Sequence, residues 1–291
     1  MMISLALLLF PLFHATSQEE IVQIVNNVKG GLWKAKVYNK TEFDVEAAMM
    51  HMDSTILSEE PVFSSPLQST PEVFDARERW PEFQVPIQMQ AACNGCWAFA
   101  TTASMTYRLG VAGCYKGLIS PQDLLSCDKT NKACQGGNPL RAMLFAANNG
   151  IASDDCVPFV SEFGRVPLCP SKCKNGSAIE RYKYKTPFQV GVSDVQTLLM
   201  ESGPLYARFN VYADFLNYED GIYEHVTGRQ LGSHAVLLLG WGVEKGVDYW
   251  LLQNSYSEEW GEKGYFRMRR GSNQCGMENA FYGGIVDCNA L

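Results

Sequence analysis

The apolar and polar positions divide the chain into stretches of different character. Residues 2–13 are almost wholly apolar. Residues 18–53 are mixed and mostly polar, with helix-like spacing at Ile21, Ile24 and Val28. Ser54 to Pro71 is rich in Pro and Ser, the pattern of a linker and of an exposed site for proteolysis. Helices follow. Cys96 to Leu109 holds no Pro or Gly, its apolar Trp97, Ala100, Met105 and Leu109 fall roughly at helical spacing, and Gly110 is placed to stop it. Ser120-Pro121-Gln122-Asp123 puts Ser at the N-cap, Pro at the first helical position and Asp at the third. A helix over about 139–149 ends at Gly150, and a capped one from Ser193 to Glu201 ends at Gly203. From 204 onwards the pattern changes to β-rich runs broken by Gly: Leu205–Val211, Ala235–Trp241, Tyr249–Gln253, Tyr265–Arg269 and Phe281–Val286. The expected fold class is therefore α+β, helical in the first half and β in the second. A cleft between two such halves is a usual place for a site.

Length and composition narrow the class. The 291 residues are 46% hydrophobic, enough for one large domain or two modest ones with a real core. The net charge of −7 argues against nucleic acid as a partner. Ten cysteines suggest an oxidising compartment. The apolar run 2–13, followed by the small residues Ala15-Thr16-Ser17, reads as a secretory signal peptide over 1–17. A membrane anchor is the other reading, but the run is too short to span, and no apolar run after it is long enough either. Residues 18–70 read as a propeptide and 71–291 as the working domain; a permanent small N-terminal domain is the alternative. Asn39-Lys40-Thr41 and Asn175-Gly176-Ser177 have the form of glycosylation sequons, which arise often by chance.

The chemistry centres on Cys96, in the first turn of its helix. The unpaired N–H groups and the macrodipole there favour thiolate over thiol. On spacing alone Cys93 and Cys96 also fit a structural pair, in a disulfide or a C-x-x-C metal site. A cysteine nucleophile needs a base, and the base needs an orienting partner. Of the four histidines, His14 and His51 lie in the expected signal and propeptide. His225 falls in a polar loop and reads as a surface residue. His234 opens the strand Ala235–Leu239. A hairpin about Lys245-Gly246 brings Asn254 opposite roughly residue 236, at the same end of the sheet as His234, where its amide can hold the imidazole.

The stretch Gln90-Ala91-Ala92-Cys93-Asn94-Gly95-Cys96-Trp97-Ala98-Phe99 resembles the active-site segment of the papain-like cysteine proteases, Q-G-x-C-G-S-C-W-A-F, departing at Ala91, Asn94 and Gly95. Asn254-Ser255-Tyr256-Ser257-Glu258-Glu259-Trp260-Gly261 resembles the family's N-S-W-x-x-x-W-G segment. The runs 212–216, 222–228 and 239–244 follow the cathepsin B branch, as does the opening Val73-Phe74-Asp75-Ala76-Arg77, and the expected propeptide has a Trp like Trp33.

The resemblance implies a two-domain fold: a helical domain packed on a β-barrel-like one, with Cys96 and His234 facing across the cleft. It implies Cys96 as nucleophile, His234 as base and acid, Asn254 as orienter and Gln90 as oxyanion donor. Gly136, Gly137 and Pro139 are carried over as substrate-binding. Tyr256 replaces a Trp that shields the His–Asn bond, and Ser233 replaces a Gly before the histidine. The implied disulfides are Cys93–Cys134, Cys127–Cys169 and Cys156–Cys173; Cys114, Cys275 and Cys288 have no assigned partner.

The implied activity is peptide-bond hydrolysis through a thioester, without metal or organic cofactor, by a zymogen inhibited by its own propeptide. A monomer in a lysosome-like vacuole or outside the cell is expected. Ala280 stands where the branch has a Glu at the base of the P2 pocket, so apolar P2 residues should be preferred to basic ones. The branch's carboxypeptidase activity depends on an occluding loop with adjacent histidines. The matching segment, Cys156 to Cys173, contains no histidine and is short, so an endopeptidase is expected; Arg165 there offers a charge to a substrate carboxylate, which is the route to the alternative, a dipeptidyl carboxypeptidase. A non-catalytic homologue, or a disulfide-rich binding module, is the alternative class.

Overall fold

The structure, a computed structural model, describes residues 17–38, 62–63, 69–114 and 117–289. The expected signal sequence, His14, His51 and the Asn39 sequon lie outside the described residues.

The chain opens with α1 (Gln18–Asn26), started by a reciprocal cap in which Glu20 N–H donates to Ser17 Oγ and Ser17 N–H to Glu20 Oε2. Its buried stripe is Ile21 and Val25, one turn apart; Ile24 and Val28 are exposed, so the expected spacing was off by one position. β1 (Trp33–Ala35) and β2 (Val62–Phe63) follow, then β3 (Phe74–Asp75) and the short α2 (Ala76–Arg79). The helices α3 (Cys96–Val111), α4 (Pro121–Cys127) and α5 (Pro139–Asn149) build the first half. β4 (Lys183–Val190), α6 (Val195–Ser202), β5 (Leu205–Tyr212), β6 (Tyr218–Tyr223), β7 (Gln230–Glu244), β8 (Val247–Gln253), β9 (Tyr265–Arg269) and β10 (Phe281–Asp287) build the second. Helical half and β half are segregated, but the β half begins at β4, before residue 204, and β6 is a further strand that the pattern did not show.

Two boundaries moved for physical reasons. α3 runs on through Gly110 instead of stopping there. A Cβ at Gly110 would lie 2.4 Å from the Phe83 ring, so the glycine serves packing, not termination. β7 begins at Gln230, so His234 lies inside the strand, not at its start. α6 is flanked by Asp194 without a side-chain cap.

The strands other than β3 form one hydrogen-bonded path, β1-β6-β9-β8-β7-β5-β10-β4-β2, which does not close into a ring, and β3 pairs with β7 off it. Both ends of that path come from the N-terminal segment. β1 pairs antiparallel with β6, and β2 parallel with β4. An uncovered edge strand is an aggregation hazard, and here residues before 70 cover both edges. Trp33 fixes one of these contacts: its Nε1–H donates to Glu224 O at 2.9 Å, and its ring packs on Tyr218 and Tyr223.

Two buried clusters flank the middle of the molecule. One gathers α1, α6 and most of the sheet; the other gathers α3, α4 and α5 with Tyr206 and Ala235 from the sheet. α3 is buried from Cys96 to Gly110, the mark of a central helix. Its N-terminus and the start of β7 meet where the two clusters adjoin.

Candidate active site

Cys96 is the first residue of α3 and has no exposure. Gly95 precedes it and offers no side-chain cap, so the first N–H groups stay available. The loop before it is fixed from three sides. Cys93 is bonded to Cys134, Asn94 N–H donates to Cys134 O at 3.1 Å, and Ala92 N–H donates to Glu162 O at 2.9 Å. Trp97 Nε1–H reaches Ala133 O at 3.0 Å.

His234 comes from β7, and Asn254 follows the end of β8. The ladder pairs Leu237 with Gln253 after a register shift between Leu238 and Gly240. That shift carries Asn254 to His234, whose Nε2 lies 2.7 Å from Asn254 Oδ1. Ser255 N–H also donates to Oδ1, at 2.8 Å. A backbone N–H can only donate, so this atom must be the amide oxygen, and His234 Nε2 must carry the proton. The neutral ring therefore leaves Nδ1 as an acceptor, the state a base needs to take a thiol proton. Ser255 thus joins this hydrogen-bonded group, although the sequence singled out only its neighbours Asn254 and Tyr256. Tyr256 stacks on the imidazole with centroids 4.7 Å apart, and Phe209 packs edge-on from the other strand.

Gln90 ties the two segments together. Its backbone N–H donates to Ser255 O at 3.0 Å, its Nε2 donates to Cys93 O at 2.9 Å, and its Oε1 accepts from Ser255 Oγ at 2.7 Å. Nε2 has a second N–H beyond the one bound to Cys93.

Electrostatics departs from the sequence expectation. The Cys96 thiol is approached by the N–H groups of Ala235, Trp97 and Cys96 itself, all favouring thiolate. Burial outweighs them and pushes the thiol up to about 12. Burial also pushes His234 down to about 4, against the raising effect of Asn254. Burial thus favours the thiol and the neutral imidazole, against the charged forms that the helix start alone suggests.

The remaining sequence candidates have definite places. Gly136 has φ +109°, a conformation for glycine, and a Cβ on Gly137 would lie 2.5 Å from the Trp97 indole. Pro139 opens α5 behind the N-cap Asn138 and is buried. Ala280 is buried beside β5, its carbonyl accepting from Arg208 N–H at 3.0 Å. The structure pairs Cys127 with Cys169 and Cys156 with Cys173, and adds Cys114–Cys288, a long-range pair that no local spacing reveals. Cys96 and Cys275 are free. His225 is not the surface residue expected. Its Nδ1 lies 3.1 Å from Oδ2 of the fully buried Asp214, and its ring stacks on Tyr212. Among the described residues, the one cluster of metal-ligand type is Asp123, Cys127 and Cys169, and its two sulfurs are bonded to each other.

The family model of papain family cysteine proteases matches residues 70–285. The chain belongs to the papain family of cysteine proteases. It is 39% identical to cathepsin B-like CP3 of Giardia intestinalis, over 75% of each chain. It is 33% identical to cathepsin B-like cysteine proteinase 4 of Caenorhabditis elegans, over 96% of this chain and 95% of the other. Among solved structures, procathepsin B S9 from Trypanosoma congolense superposes with a TM-score of 0.87 at 29% identity. That match covers 94% of this papain-family chain and all of the other. The chain is therefore a cysteine peptidase with a papain-like fold. No helix among its described residues is long and apolar enough to cross a membrane.

Proposed function

We propose that this papain-family peptidase is the precursor of an endopeptidase, with Cys96 as nucleophile, His234 as base and acid, Asn254 as orienter and Gln90 as oxyanion donor. The observation that carries the reading is the chain from Ser255 N–H to Asn254 Oδ1 to His234 Nε2, which fixes the tautomer next to a thiol at a helix start. In the reaction, Cys96 Sγ attacks the peptide carbonyl carbon while its proton passes to His234 Nδ1. The oxyanion is held by the Cys96 N–H and the second N–H of Gln90. His234 gives the proton to the leaving amine, which departs as the C–N bond breaks. His234 then takes a proton from water, whose oxygen displaces the thiolate from the thioester.

Residues 18–70 act as the inhibitory propeptide in this proposal, after removal of residues 1–17 as a signal. Its support is that this segment supplies both edge strands of the sheet and anchors Trp33 on the Glu224 loop. Release of the propeptide rehydrates the site, and the N–H groups around Cys96 then favour the thiolate–imidazolium pair. The four disulfides suit a vacuolar or extracellular setting.

The endopeptidase choice rests on the segment from Cys156 to Cys173. It is stapled by two disulfides, holds no histidine, and leaves Phe163 and Leu168 almost fully exposed. Exposed Arg165 is the observation that favours the second reading, a dipeptidyl carboxypeptidase. Mass spectrometry of a long peptide during digestion decides between them. Internal cuts in the first minutes are expected; stepwise loss of C-terminal dipeptides as the main early products supports the second reading.

A further inference from the structure

A cavity lies towards the other end of α3, about 18 Å along the helix from Cys96 at 1.5 Å per residue. Its volume is about 380 Å³, the size of a small-molecule site. α3 contributes Arg108 and Val111 to its walls, β4 Phe188, α6 Leu198, and β10 Ile285 and Val286. The Cys114–Cys288 disulfide joins the chain just after α3 to the chain just after β10, so two of these walls are covalently tied. Arg108, Phe188 and Leu198 are buried and form the floor, while Ile285 is 48% exposed and marks the mouth.

The charge on that floor has no anion. Arg108 Nε–H donates to Pro204 O at 3.2 Å, Nη1 to Gly284 O at 3.1 Å and Nη2 to Gly203 O at 3.4 Å. Gly284 itself lines the cavity, and the guanidinium carbon lies 5.9 Å from the centre of the Phe188 ring, so the charged end stands in the cavity wall. A guanidinium has five N–H groups, which leaves one over on each Nη. Among the described residues no carboxylate bonds to Arg108, and its three acceptors are neutral carbonyls. Burial lowers its pKa to about 10, which keeps it charged at neutral pH. A buried charge is ordinarily paired, and carbonyls alone leave its full positive charge in place. The acid in the wall, Glu201, is exposed, and its charge disfavours a ligand with a second negative group. The walls named above are otherwise hydrocarbon, so the amides of an entering peptide would lose water without gaining side-chain partners.

We propose that this cavity is a binding site for an aliphatic monocarboxylate, with its carboxylate on Arg108 and its chain along Val111, Leu198 and Val286. A carboxylate accepts from both spare N–H groups at once and neutralises the buried charge. The chain displaces water from the apolar walls, and one that ends at Ile285 buries all of its hydrocarbon. The site is separate from Cys96, His234 and Asn254 and stands apart from the peptidase reading.

The test uses the full-length chain with Cys96→Ala, so that no cleavage disturbs it, and isothermal titration with decanoate at pH 7 below its micelle concentration. One decanoate should bind per chain, at least about tenfold more tightly than decanol, which has the same chain without the charge. Decanedioate, with its second carboxylate, and N-acetyl-trileucine, with its amides, should both bind more weakly than decanoate. Arg108→Gln should bring decanoate down to the level of decanol. Should that variant fail to fold, Ala112→Trp at the exposed rim of the cavity should abolish binding instead. A decanoate analogue with a diazirine on its chain should label residues within 108–112, 198–202 or 284–286, located by mass spectrometry after digestion. No binding of decanoate, decanol binding as tightly, N-acetyl-trileucine binding more tightly, or label confined to other parts of the chain overturns the proposal. So does an affinity for decanoate that neither folded variant changes.

Discussion

Two cysteines are free in this molecule, and the proposed reaction uses only one of them. At Cys96 the partners are His234 and Asn254; at Cys275 the neighbourhood holds His225, Asp214 and Tyr223. Burial pushes both thiols up to about 12. The difference lies in what surrounds them. Cys96 begins a long helix, with three N–H groups aimed at its sulfur. Cys275 sits in a kinked 3-10 turn at φ +52°, between Gln274 and the Tyr223 hydroxyl, with the charge of Asp214 opposing a thiolate. Asn254 is neutral and orients a ring. Asp214 is a buried anion that accepts from Tyr223 Oη–H, Val226 N–H and Thr227 N–H as well as facing His225. That is an anchor for the loop 223–227, on which Trp33 docks. Residue types alone do not separate the two clusters; donors around the sulfur, and the tautomer imposed on the histidine, do.

The sharpest way to break this contrast is to delete each thiol. Cys96→Ala should lower turnover by more than about 1000-fold, and His234→Ala by nearly as much, because the two act as a unit. Cys275→Ser should leave the matured enzyme within about twofold of wild type, since it lies outside that unit. Initial rates normalised to folded protein by circular dichroism check all three. A Cys275→Ser loss as large as that of Cys96→Ala erases the distinction.

Asp214→Ala tests the anchor. Removing a buried carboxylate with four partners should cost about 3 kcal/mol of stability, read from urea denaturation. Asn254→Ala should cost little stability but about 10- to 100-fold in kcat, because the imidazole loses its orientation.

A smaller effect follows from the pKa of the buried base. His234 is held at about 4 by burial in the folded precursor, against an ordinary 6.5. An opened or unfolded state therefore binds a proton between those values and the folded state does not. The folded precursor must lose stability as pH falls from about 6.5 to 4, and regain it above. Thermal melts of the Cys96→Ala precursor between pH 7 and 4 should show a steeper fall than the same precursor carrying His234→Gln. Equal slopes contradict the assignment. Smallest of all, Tyr256→Trp should change kcat/KM by no more than about threefold, as one aromatic ring replaces another over the imidazole.

Much of this was legible in the chain. The segment around Cys96 and the segment at Asn254 carry strong local signals, and the hairpin at Lys245-Gly246 relates Asn254 to His234 by counting. The separation into helical and β halves follows from the change of period near residue 204. What could not be read depends on contacts distant in sequence. Gly110 looks like a helix stop because its role is room for Phe83, 27 residues earlier. His225 reads as a surface residue because Asp214, its partner, comes from a different turn. The Cys114–Cys288 pair spans 174 residues and no spacing rule reaches that far. Burial of Cys96 and His234 is likewise tertiary, and it works against the charge state that the helix start suggests.

One measurement bears on the whole contrast. The matured protein is treated with one equivalent of an epoxide inhibitor directed at catalytic thiols, then digested, and the modified cysteine is located by mass spectrometry. One adduct per molecule on Cys96, with complete loss of peptidase activity, is the expected result. An adduct on Cys275, or full turnover after stoichiometric modification of Cys96, contradicts the placing of the reaction at Cys96, His234 and Asn254.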